Sequence, residues 1–92
     1  MGLRPLPLEK KMQKNYRKAY NELVKMGVPV YTRSDIKNFQ ISAENENSWE
    51  WLNYYNQIPS WSWGVNPKLE AVLEKNGLHS EWINPGELGV YE

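Results

Sequence analysis

The sequence contains no cysteine, which excludes disulfides and thiolate metal sites alike. Small secreted domains usually rely on such staples, so a reducing, cytoplasmic setting is the expectation. A single histidine, His79, rules out a two-histidine metal site within one chain. No apolar run exceeds three residues, far short of the roughly 20 needed to span a membrane, and no membrane partner is expected. The N-terminal stretch lacks the apolar core of a secretory signal. Leu6 stands where a myristoylation signal starting at Gly2 needs Ser or Thr. There is no phosphate-cradling glycine loop, no zinc-finger spacing and no aromatic RNA-binding strand signature. No cofactor is expected.

What remains is 92 residues, enough for one domain. A chain of this size buries only about 60–65% of the surface it exposes when unfolded. Most of its large apolar side chains are therefore needed for a core. The net charge of zero hides a split. Residues 1–25 hold seven Lys or Arg against two Glu, and residues 26–92 hold four against nine acids. Such asymmetry marks either an acidic-partner face or a basic helix lying on an acidic body.

Pro5 and Pro7 keep residues 1–7 out of a helix, and these residues read as an N-terminal arm to a domain over 8–92. Leu8, Met12, Tyr16, Ala19, Tyr20 and Leu23 then recur at spacings of three and four, the stripe of an amphipathic helix. Gly27 stops it, with Val28 placed to pack back on the last turn. Val28–Thr32 and Phe39–Ala43 alternate as strands and pair across a polar loop at 33–38. Asn66-Pro67 opens another helix with buried stripe Leu69, Val72 and Leu73, closed by Gly77 and Leu78. A last hairpin runs through Asn84-Pro85-Gly86-Glu87, a sequence with type II turn chemistry. The chain thus reads as α+β: two helix–hairpin units, α-β-β-[α]-α-β-β, whose four strands form one mostly antiparallel sheet with the helices on one face.

Residues 47–66 form an aromatic insertion between the units. Asn47 and Glu50 have the spacing of a capping box, predicting a short helix over 48–57, with a strand as the alternative because the aromatics fall almost all round. Trp49, Trp51, Tyr55, Trp61 and Trp63 are its candidate binding anchors. Extended backbone at Trp61-Ser62-Trp63 puts two rings on one face, ready to stack on a ligand. The competing use of these rings is core filling. From Asn38 to Pro67 there is no Lys or Arg, whereas nucleic-acid binders join stacking rings to a positive groove. A protein partner or a second copy of the chain suits these rings better.

The alternative nucleic-acid surface is the basic helix, with Lys10, Lys11, Lys14, Arg17 and Lys18 as contacts, against the reading of a solvated helix face. A small enzyme centred on His79 is the third class. His79 and Glu81 share a strand face, and a Ser-His-Asp set can be drawn from Ser80 or Ser34 with His79 and Asp35, but no nucleophile-elbow spacing supports it. The expected function is a non-enzymatic interaction module.

Overall fold

Two glycines in left-handed backbone set the architecture. A computed structural model describes residues 12–32, 38–44, 46–55, 58–61 and 63–92. Helix α1 spans Lys14–Met26 and ends at Gly27, whose φ is 90°. There the Gly27 N–H donates to Val24 O and the Val28 N–H to Leu23 O. Helix α2 spans Pro67–Lys75, and Gly77 has φ 75°. The Gly77 N–H donates to Glu74 O and the Leu78 N–H to Leu73 O. Both ends are Schellman motifs, in which left-handed glycine lets two backbone amides satisfy the last carbonyls. Val28 and Leu78 are both buried, and each leads into a strand.

The strands are β1 Val30–Tyr31, β2 Gln40–Ser42, β3 His79–Asn84 and β4 Glu87–Tyr91. They form one antiparallel sheet in the order β1-β2-β4-β3. The register aligns Val30, Ile41, Leu88 and Trp82 in one row across all four strands. Because side chains alternate along a strand, the next row, Tyr31, Gln40, Gly89 and Glu81, faces the other way. The first row is the helix face. Leu23, Phe39, Ile41, Leu69, Leu73 and Leu88 are all fully buried there. Tyr16 and Tyr20 meet Phe39 edge-on at 6.4 and 5.4 Å between ring centres. Helix α1 packs on β1, α2 packs on β3, and the helices touch each other.

The two units are related by a pseudo-twofold axis through the sheet. The shift that carries Gly27 to Gly77 carries Leu23 to Leu73, Tyr20 to Glu70 and Val30 to Ser80. Val30 pairs with Ile41, and Ser80 pairs with Val90. The two inner strands meet at Gln40 and Gly89, which puts the axis at that pair.

Several local expectations are corrected. Gln13 is extended, with φ −63° and ψ 157°, so α1 starts at Lys14 rather than Leu8. Strand β1 is two residues long because Pro29 has no N–H to give a ladder, although its carbonyl accepts from the Ser42 N–H. Gly86 does not have positive φ, so the last hairpin lacks a type II turn. Asn84 Oδ1 accepts from the Gly86 N–H instead, and the register shifts between Trp82 and Asn84. Such a bulge adds the twist that an unprimed turn fails to supply. The expected helix over 48–57 is a 3-10 helix over Glu46–Glu50, with Asn47 inside it rather than capping it. Rings on every side leave a longer helix no single face to bury. The arm at 1–7, Leu8 and the loop residues 33–37 lie outside the described residues.

Candidate functional site

The aromatic insertion is a loop pinned at its base. Leu52 bridges Val65 in antiparallel fashion, the Asn53 N–H donates to Gly64 O, and the Asn66 N–H donates to Trp51 O. Leu52 and Val65 are fully buried, which anchors the base in the main core. Asn66 also caps α2, its Oδ1 accepting from the Lys68 N–H at 2.9 Å, and its amide donates to Glu50 O. Gly64 has φ 76°, and a Cβ there would collide with the Asn53 carbonyl oxygen. This is a place where only glycine fits.

The loop delivers Trp63 to the rim of β3. Trp63 has φ 55°, the one left-handed non-glycine among the described residues. Its carbonyl accepts from the Trp82 indole N–H at 2.7 Å. Trp82 packs edge-on with Tyr54 at 5.2 Å, and Tyr54 with Tyr55 at 5.3 Å. A cleft of about 260 Å³ opens between this aromatic run and α2, lined by Trp63, Val65, Glu70, Ser80, Glu81 and Trp82. Ser80 Oγ donates to Glu70 Oε2 at 3.1 Å. Burial pushes the Glu70 carboxyl above its ordinary pKa, more than the Ser80 hydrogen bond pulls it down.

The predicted anchors separate in the structure. Trp63 is 81% exposed and Tyr55 78% exposed, and both belong to the aromatic run. Trp51 is a correction: it is buried in the core cluster rather than exposed, next to the buried Leu52 and at the loop base that its carbonyl closes with the Asn66 N–H. Trp49 is exposed on the 3-10 helix without a ring contact among the described residues, and Trp61 is half-buried. The backbone at Trp63 is not extended, so the expected stacked pair with Trp61 has no such basis, and Ser62 lies outside the described residues. Glu70, Ser80 and Trp82 line the cleft, with Tyr54 packed on Trp82, and none of them was anticipated as a binding residue. The only sequence signal for them is the i, i+2 spacing that puts Ser80 and Trp82 on one strand face.

The other candidates stand elsewhere. Lys14, Arg17 and Lys18 are exposed on α1, toward the β1 end of the sheet, and Lys10 and Lys11 lie outside the described residues. The charge split is bridged between the helices in the reverse sense, by Lys75 of α2 on Glu22 of α1 at 2.6 Å. His79 Nε2 lies 3.6 Å from Glu81, and the His79 ring leans on Tyr91. Ser80 projects to the opposite sheet face, so it does not join His79, and Ser34 and Asp35 lie outside the described residues. Among the described residues no three His, Asp or Glu side chains cluster as metal ligands, and no helix is long and apolar enough to cross a membrane. A wider groove of about 480 Å³ runs beside β1. There the Tyr31 hydroxyl lies 2.8 Å from both Gln40 Oε1 and Glu87 Oε2. No protein-family profile, curated protein or solved structure matches the chain.

Proposed function

We propose that the chain is a non-enzymatic, cytoplasmic interaction module that docks a protein partner, or a second copy of itself, through the aromatic end of the domain. Trp63 carries this reading. A bulky side chain in left-handed backbone costs about 1–2 kcal/mol. Leaving its ring in water also forgoes roughly 1.5–3 kcal/mol of burial. Folding alone gains from neither choice, whereas glycine at this position would relieve the first. Backbone strain of this kind gathers at functional positions. Tyr55 and Tyr54 extend the exposed aromatic area, and Trp and Tyr dominate the energetics of protein interfaces.

The test compares the wild type with Trp63→Gly in sedimentation equilibrium and in retention of co-purifying partners. The expected result is association by the wild type that the variant loses while its circular dichroism stays the same. A wild type that is monomeric at high concentration and retains the same partners as Trp63→Gly would end the reading.

A second reading uses Lys14, Arg17 and Lys18 on nucleic acid, supported by their exposure on one helix. It predicts oligonucleotide binding that falls steeply with salt. The rings gather at the β3 end and the cations at the β1 end, which favours the first reading.

A further inference from the structure

We propose that the cleft between Trp63 and Trp82 receives one arginine side chain of a protein partner, with Glu70 as its counter-ion. The inference rests on the interaction-module reading and names what the partner must present. Two tryptophans, Trp63 and Trp82, line it together with the Glu70 carboxylate on α2. One Glu70 oxygen is held by Ser80, and the other accepts no hydrogen bond among the described residues. No Lys or Arg among the described residues pairs with Glu70. The cleft, about 260 Å³, has room for one long side chain.

The pseudo-twofold axis gives an internal control. In the first unit the positions matching Glu70 and Ser80 are Tyr20 and Val30, both packed as apolar groups on the core. The same place in the fold is therefore filled without a carboxylate when packing is its only task. In the second unit a hydroxyl orients a half-buried carboxylate toward an aromatic cleft.

Arginine fits this chemistry better than lysine. Its planar guanidinium stacks on an indole while its N–H groups reach a carboxylate in the same plane. It is also less strongly hydrated than an ammonium, so it enters a partly desolvated cleft at lower cost. Glu81 at the cleft edge and Glu74 one turn along α2 add negative potential, and His79 on β3 opposes it. Because burial favours the protonated form of Glu70, arginine binding should weaken as pH falls into the range where Glu70 takes up a proton.

The experiment titrates the ¹⁵N-labelled full chain with the blocked tripeptide Gly-Arg-Gly, and with versions carrying lysine or neutral citrulline. The Trp63 and Trp82 indole N–H resonances are the readout. The expected result is saturable movement with the arginine peptide, several-fold weaker binding of the lysine peptide, and at least tenfold weaker binding of the citrulline peptide. Glu70→Gln should erase the preference for arginine over citrulline, while Glu74→Gln keeps it. Equal binding of arginine and citrulline peptides by the wild type, or no movement with any peptide, overturns the inference whatever Glu70→Gln does to folding. If association still depends on Trp63 in that case, the module reading stands and only the arginine assignment is lost.

Discussion

The two helix–hairpin units share a backbone plan and differ in what they do with its outer end. Each helix closes on a left-handed glycine and sends a buried aliphatic residue into an outer strand. In the first unit the outer strand is two residues long, starts after a proline and packs its own Val30 against the shared core. In the second it is six residues long, largely exposed, and carries Ser80 and Trp82 beneath the pinned aromatic loop. The insertion follows the first unit in the chain but packs on the second. The difference teaches that equivalent backbone positions are free to serve packing in one half and a polar, open cleft in the other, provided the shared interior stays intact.

The largest expected effect tests that shared interior. Leu23 and Leu73 occupy matching positions and are both fully buried. Leu23→Ala and Leu73→Ala should each cost about 2–5 kcal/mol in urea unfolding. Costs that agree within about 1 kcal/mol sharpen the equivalence of the units, and a near-zero cost at one site breaks it.

The next effect separates the two stop signals from the loop base. At Gly27 and Gly77 an added Cβ meets no atom within 4 Å, so Ala pays only for left-handed backbone, about 1 kcal/mol. At Gly64 the same substitution adds a collision with the Asn53 carbonyl. Gly64→Ala should therefore lose more stability than either, and should perturb the Trp82 indole resonance. If Gly64→Ala costs no more than Gly27→Ala, the pinned-loop account fails.

The smallest effect concerns Glu70. Its raised pKa means that the folded chain holds this proton more tightly than the unfolded chain. Its contribution to stability is then fully present below the unfolded value, about 4.3, and falls as pH rises through the folded value. Unfolding free energies measured across the carboxylate range should fall more for the wild type than for Glu70→Gln. Parallel profiles would show that Glu70 is not desolvated, and the contrast with Tyr20 would lose its meaning.

The helix stripes and stops were legible because they depend on local rules. Tyr16, Ala19 and Leu23 repeat at helical spacing, and a glycine at a helix end offers left-handed backbone without a Cβ penalty. The insertion was not legible in this way. Trp51 and Trp63 are chemically the same residue twelve positions apart, and one is buried while the other is exposed. Their fates depend on the Leu52–Val65 bridge, a pairing between residues with no periodic relation. Glu70 carried no signal at all, since its distinction comes from facing Ser80 across the helix–strand packing.

The sequence by itself determined two amphipathic helices, their glycine ends, the paired strands and the α+β class, because each follows from spacing and backbone freedom within a few residues. Only the tertiary structure decided which tryptophans were buried and which stood in water. It alone also brought Glu70, Ser80, Trp63 and Trp82 around one cleft, because burial and desolvation are set by what packs from the far side of the chain.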